Sequence, residues 1–330
     1  QRRLSGTGNP SQKNLRNAVA RYAAAMRIVL FEWCTSGGLA GADASIAREG
    51  RMMLEALAAD AARAPGLDVT VLVEAGRAID LPAQMRRLAV PPGSDAAALV
   101  AAARDADCTI VVAPETDGTL AGLVQAVRAA GGRVLAPDSR VIEVAADKQA
   151  TVDALAARGI PVPAGRALAA GEPIPGGFHM PAVRKARAGC GGDGLEILAS
   201  RDAPPAAVPT RLEALAEGTP VGVSCICGPR SVTVLPPLRQ HFTAGAAPRY
   251  LGSDPLADAG LTVRATALAR AAATALGATA GWLGVDLILG ARPDGRDDRV
   301  LEVNPRVTTS FVGLSRLFAS SLVAAMIEAA

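Results

Sequence analysis

Gly284-Val285-Asp286-Leu287-Ile288-Leu289 and Val300-Leu301-Glu302-Val303-Asn304-Pro305-Arg306 are the two runs whose reading decides this chain. Each has the short apolar texture of a strand, and Arg292-Pro293-Asp294-Gly295 between them is a turn, so the two pair. Asp286 interrupts the first run, where an unpaired carboxylate is costly to bury and needs a partner. Glu302 and Asn304 stand two apart, which turns both side chains to one face of the second strand. Two carboxylates and an amide oxygen are hard ligands, suited to one or two magnesium ions that also hold phosphate oxygens. The plainer alternative is a surface ion pair of these acids with Arg299 or Arg306, with Asn304 a turn former before proline. The upstream strand aspartate disfavours it.

Working outward, positive charge is written almost entirely as arginine. The chain has three lysines, Lys13, Lys148 and Lys185. Lysine is a compact point charge that suits phosphate oxygens, whereas arginine imposes a planar fork. Asp147 reads as the N-cap of a helix from about 147 to 158. Lys148 in its first turn is disfavoured by the helix dipole unless it serves an anion. Lys185 ends the strand-like run Pro181 to Ala186 and leads into Gly189-Cys190-Gly191-Gly192-Asp193-Gly194. A glycine-rich hairpin of this kind can present N–H groups to a triphosphate, although no Gly-Lys-Ser/Thr makes it a Walker loop. Cys190 reads as a small filler rather than a nucleophile.

In this order and at these separations, the three segments resemble the ATP-grasp superfamily of carboxylate-amine ligases. The resemblance spans roughly residues 26–330. It implies a mixed α/β and α+β molecule, the ATP-grasp fold, with an N-terminal parallel α/β domain and two α+β lobes enclosing the nucleotide. The expected divisions are a basic, disordered leader at 1–25, a Rossmann-like substrate domain at 26–138, a central lobe at 139–210 and a C-terminal lobe with the metal site at 211–330. By the resemblance, Lys148, Lys185, Gly191 and Gly192 hold ATP phosphates, and Asp286, Glu302 and Asn304 bind Mg2+ or Mn2+. Arg239 and Arg306 steady the transferred phosphoryl group or a substrate carboxylate, Arg306 being a substrate ligand as well as a catalytic one. The family's adenine hinge falls on Ala214, Leu215, Ala216 and Glu217, where its usual Glu-Tyr/Phe pattern is missing; Glu213, Glu217 or neither serves the ribose.

The implied reaction activates a carboxylate as an acyl phosphate at the expense of ATP, then joins it to an amine with release of ADP and phosphate. Three further segments are similar to the tyramine-glutamate ligase group of methanofuran biosynthesis and its bacterial relatives. These are Phe31 to Gly38, Ala113 to Gly118, and Asn304 to Leu314. That likeness implies joining the γ-carboxylate of glutamate to tyramine or tyrosine. The rival readings are a non-catalytic or regulatory ATP-binding protein of the same fold, and a dinucleotide-binding oxidoreductase or sugar-nucleotide transferase. The last is disfavoured because no strand-borne Gly-x-Gly-x-x-Gly appears.

The N-terminal half alternates strands with alanine-rich helices: strands at 27–33, 68–73, 108–112 and 133–135, helices at 45–64, 95–105 and 118–130. A mostly parallel sheet follows, with ligands collecting beyond the carboxyl ends of its strands. Glu32 and Glu115 sit there and are candidates for substrate contact. Later strand-like runs at 195–198, 221–226, 231–235, 281–289 and 299–303 are spaced as antiparallel hairpins, with helices at 261–276 and 312–328.

The 330 residues carry a formal charge of +3, of which residues 1–25 contribute five basic groups and no acid. The near-neutral body gives no electrostatic case for nucleic acid, and no apolar run reaches the ~18 residues of a membrane span. Five scattered cysteines without zinc spacing indicate reduced thiols and a cytoplasmic location. The expected partners are small-molecule carboxylate and amine substrates, and a homo-oligomer is compatible with the sequence.

Overall fold

The computed structural model describes residues 25–38, 44–189 and 194–330. Residues 1–24 of the leader, Cys190 and the glycines Gly191 and Gly192 lie outside the described residues.

The described residues open with β1 (Met26–Glu32), α1 (Ala44–Ala61), β2 (Leu67–Glu74), β3 (Arg86–Val90), α2 (Asp95–Arg104), β4 (Cys108–Val112) and α3 (Thr119–Ala129). Its four strands form a parallel sheet in the order β3-β2-β1-β4. Alternation along β1 explains its continuous apolar run: Ile28 and Leu30 pack with Leu54 and Leu57 of α1, while Val29 and Phe31 pack with Leu99 and Leu123 of α2 and α3. A strand covered on both faces must be apolar on both, each such side chain contributing about 1.5–3 kcal/mol. The edge strand β3 escapes the sequence pattern because four of its five residues are exposed. The strand expected at 133–135 reduces to one bridge, Thr109 to Val134.

Two short helices, α4 (Ser139–Ala146) and α5 (Lys148–Ala156), lead to a small antiparallel sheet. Its strands are β5 (Gly165–Leu168), β6 (Ala182–Ala186), β7 (Glu196–Leu198) and β8 (Thr210–Ala214), in the order β5-β8-β6-β7.

The last unit contains β9 (Thr219–Cys227), β10 (Val232–Val234), β11 (Leu238–Phe242), β12 (Tyr250–Pro255), α6 (Ala259–Leu276), β13 (Gly281–Leu289), β14 (Arg299–Asn304), α7 (Ser310–Leu314) and α8 (Leu322–Ala329). The sheet runs β12-β11-β9-β13-β14, with β10 beside β9. Small side chains let α6 lie close: Ala265, Ala269, Ala272 and Ala273 cover Val221, Val223, Val285, Leu287, Val300 and Val303. On the other face Ile226, Leu238 and Trp282 join Phe311 and the α1 side of the parallel sheet in one core.

The single helix expected at 312–328 is two helices. Buried Asp60 causes the break: it accepts hydrogen bonds from the Ser321 hydroxyl (2.6 Å) and the Val323 N–H (2.9 Å). Ser321 in turn caps α8 by accepting from Ala324 N–H. A carboxylate supplied from α1 thus starts a new helix where the local apolar pattern suggests continuation.

Candidate functional site

The floor of the site is the face of the last sheet turned away from α6. Asp286 stands opposite Gly222 on one side and Glu302 on the other, while Gly284 stands opposite Ser224 and Asn304. A break in register places this set. Asp286 pairs with Glu302, but the next residue, Leu287, pairs with Val300, so Leu301 is an extra residue, a β-bulge. The bulge lets Val300 and Val303 both face α6 while Glu302 and Asn304 share the face of Asp286.

Asp286 accepts from Gln240 Nε2 at 2.8 Å and from Asn304 Nδ2 at 3.0 Å. Gly222 makes room for the Gln240 amide: a Cβ there would sit 3.0 Å from its Nε2. Burial, and then the Glu302 charge, push the Asp286 carboxyl up to about 6, against the two amide donors and Lys185. Beside this floor lie the hydroxyls of Thr308, Ser310 and Ser224, linked at 2.7 and 2.9 Å.

Both lysines of the folded body come to this floor. Lys148 is the first residue of α5, whose cap Asp147 accepts from the N–H groups of Gln149 and Ala150. Its Nζ lies 3.0 Å from Glu302 Oε1 and donates to Gly189 O at 2.8 Å. Lys185, on β6, donates to the carbonyl of the bulge residue Leu301 at 3.1 Å and pairs with Glu213 Oε1 at 2.8 Å. Both are almost fully buried. Lys148 thus reaches a carboxylate of β14 from α5, and Lys185 reaches a backbone carbonyl of the same strand from the small sheet.

Other expected site residues divide. Arg306 Nε meets Glu115 Oε1 at 3.0 Å, bringing the end of the parallel sheet to the metal strand. The two atoms are not aligned as a hydrogen bond, so the contact is electrostatic. Arg239 is not brought to the floor: Gln240 points there, and strand alternation turns Arg239 to the opposite face with His241. Glu32 is committed to its own turn, accepting from Cys34 N–H at 3.1 Å and Thr35 N–H at 2.8 Å. Burial pushes its carboxyl above the ordinary range despite those donors, and a Cβ at Gly50 would press to 2.5 Å of it.

The hinge segment links β8 to β9. Ala214, Leu215 and Ala216 are half-buried and Glu217 is exposed. Glu213 is 2 % exposed, with its oxygens on Lys185 and Arg211. Gln240 and Arg211 were missed by sequence reasoning. Applying the two-residue period to the polar run Leu238–Phe242 separates Gln240 from Arg239; no local signal marks Arg211.

No group of three His, Cys, Asp or Glu converges among the described residues. Two carboxylates and an amide nonetheless offer an all-oxygen set, with Asp286 and Glu302 directly opposite each other across the β13–β14 ladder. A hard divalent cation fits that chemistry, provided other oxygens complete its shell. The same residues record no helix long and apolar enough to cross a membrane.

A family model for the ATP-grasp domain matches residues 145–310, and one for a pre-ATP-grasp domain matches residues 67–142. Among solved structures, the chain is similar to a protein from Archaeoglobus fulgidus described as belonging to the ATP-grasp superfamily. The TM-score is 0.71 at 22% identity, over 92% of this chain and 88% of that one. It is also similar to D-alanine–D-alanine ligase from Bacillus anthracis, with TM-score 0.62 and 17% identity over 93% and 97% of the two chains. For L-amino acid ligase from Bacillus licheniformis the values are 0.61 and 17%, over 89% and 70%. At these identities the likeness is one of fold. No curated protein sequence matches.

Proposed function

The chain belongs to the ATP-grasp family, the family of ATP-dependent C–N ligases, and on that premise we propose that it joins a small-molecule carboxylate to an amine through an acyl phosphate. The observation that carries this reading is the 3.0 Å contact of Lys148 with Glu302. The cation proposed for phosphate oxygens and the carboxylate proposed for a metal are thus neighbours, on elements more than 150 residues apart in sequence.

Lys148 and Lys185 offset the phosphate charge of ATP, and Asp286, Glu302 and Asn304 hold magnesium or manganese. A divalent cation bound there would neutralise phosphate oxygens and steady the charge of the transferring group. Lys185 is held by a backbone carbonyl and one carboxylate oxygen, so its ammonium needs little reorganisation to meet an anion. Arg306, anchored by Glu115, steadies the substrate carboxylate as it accepts the phosphoryl group, after which the amine attacks the acyl carbon and phosphate leaves. Catalysis of this kind rests on positioning and electrostatics rather than on a nucleophilic side chain. The segment Ala214 to Glu217 offers backbone groups to adenine.

For the finer substrate assignment we take the likeness of Phe31 to Gly38, Ala113 to Gly118 and Asn304 to Leu314 to tyramine-glutamate ligases. The acid is then glutamate, reacting through its γ-carboxylate, and the amine is tyramine or tyrosine. We place this chemistry in the cytoplasm, where the buried thiols Cys34, Cys108, Cys225 and Cys227 stay reduced.

Purified protein with ATP, magnesium, glutamate and tyramine or tyrosine tests both levels. ADP release that requires acid and amine together supports the ligase. ADP release with other pairs only removes the glutamate assignment, and ATP binding without turnover on a broad acid and amine panel points to a regulatory binder.

A further inference from the structure

Behind Lys185 lies a charged network that the reaction above does not use. Arg211, on β8, stands opposite Lys185 on β6, and Glu213 stands two residues further along the same face. Arg211, Glu213 and Lys185 are 1 %, 2 % and 4 % exposed. The Glu213 carboxylate is divided between two cations: Oε1 meets Lys185 Nζ at 2.8 Å, and Oε2 accepts from Arg211 Nε at 2.8 Å. The remaining arms of Arg211 donate to Gln149 Oε1 at 2.6 Å and to Pro163 O at 2.9 Å. Gln149 is the residue after Lys148 in the first turn of α5.

Charge counting gives this trio its meaning. Lys185 and Glu213 alone would form a neutral buried pair, whose ammonium offers a polyanion little net attraction. Adding Arg211 restores a net charge of +1 in surroundings where water screens weakly. A planar guanidinium can serve three acceptors in fixed directions at once, which an ammonium cannot do with the same geometry.

We propose that Arg211 is a positioning residue for nucleotide phosphate. It draws off half of the Glu213 carboxylate so that Lys185 keeps net positive charge, and through Gln149 it ties Lys185 to the helix start that carries Lys148. The inference rests on the ATP-dependent ligase reading. On this reading Glu213 serves the two cations rather than the ribose.

The test is the dissociation constant of Mg·ATP, measured by calorimetry on the full chain and its variants, with thermal melting to confirm folding. Arg211→Met makes the trio neutral and weakens binding by about tenfold, a difference near 1.4 kcal/mol. Arg211→Met combined with Glu213→Gln returns the net charge to +1 and recovers binding to within about threefold of the unsubstituted chain. A purely structural role predicts the reverse, since the second substitution removes one more partner. A double variant no better than Arg211→Met, or an Arg211→Met that binds normally, overturns the proposal. Should Arg211→Met fail to fold, Glu213→Gln alone decides: tighter Mg·ATP binding supports the charge argument and weaker binding overturns it. Absence of ATP binding by the unsubstituted chain would sink the ligase reading and this inference together, whereas normal binding with the wrong variant order sinks only the inference.

Discussion

Glu115, just beyond β4 of the parallel sheet, lies 3.0 Å from Arg306, just beyond β14 of the last sheet, and both side chains are largely buried. The pair joins the leading layer of the fold to the metal strand, and each charge lacks solvent to replace the other. Removing one partner of a buried ion pair costs about 3–5 kcal/mol. Glu115→Gln and Arg306→Met should therefore each lower the melting temperature, while the double variant loses less than the sum. A coupling of about 1–3 kcal/mol in a double-mutant cycle is the expected result. Additive losses would mean that the contact is incidental.

Asp286 gives an apo-state prediction with a defined sign. Its carboxyl sits at about 6 in the folded protein, raised by burial and by Glu302, against the ordinary value of 3.8. A raised acid favours the folded state while both states are protonated, and that contribution is lost as pH climbs from about 4 through about 6. Without metal or nucleotide, Asp286→Asn should be more stable than the unsubstituted chain at pH 7–8 by about 2 kcal/mol, with the gain vanishing near pH 4. Gln240 and Asn304 can each rotate to present a carbonyl to the new amide. The same variant should lose Mg2+-dependent turnover, so chemical denaturation and activity move in opposite directions.

Lys185 sits between Glu213 Oε1 and the Leu301 carbonyl, a space shaped by the bulge in β14. A guanidinium keeps the charge but must spread it across a plane that this space does not accommodate. Lys185→Arg should therefore lower kcat by about 100-fold or more, equivalent to about 2.7 kcal/mol. Near-normal turnover would show that charge alone suffices. Lys148→Ala should leave Glu302 without its cation and raise the KM for ATP.

Gly284 keeps the floor low beside Asn304. A Cβ there would sit 2.8 Å from Thr308 Cγ2, so Gly284→Ala must shift the Thr308 side chain, whose hydroxyl is linked to Ser310. The 308–310 segment follows Arg306, the residue proposed for the substrate carboxylate. The expected outcome is a rise in KM for the carboxylate or amine substrate with an unchanged dissociation constant for Mg·ATP. Weaker ATP binding with intact acid and amine kinetics would relocate the segment's role.

Much of the architecture was legible in order. The continuous apolar runs of β1, β4 and β13 announced strands because burial on both faces leaves no polar position, and Asp286 stood out for the same reason. Strands with exposed faces, such as Leu238–Phe242 and Arg86–Val90, were not visible, since solvent accepts any residue there. The helix break before α8 was also invisible, because its cause, Asp60, lies more than 250 residues away.

By itself, then, the sequence determined which chemical groups exist and on which kind of element: two lysines in the folded body, a strand aspartate, and a glutamate and asparagine two residues apart. Those properties follow from local period and residue type. Only the tertiary structure decided which of them meet. The Leu301 bulge aligned Glu302 with Asp286, alternation turned Gln240 inward and Arg239 away, and burial divided Glu213 between Lys185 and Arg211. Register and charge sharing of this kind arise from contacts between distant segments, where hydrogen-bond geometry and desolvation choose among arrangements that the local sequence leaves equal.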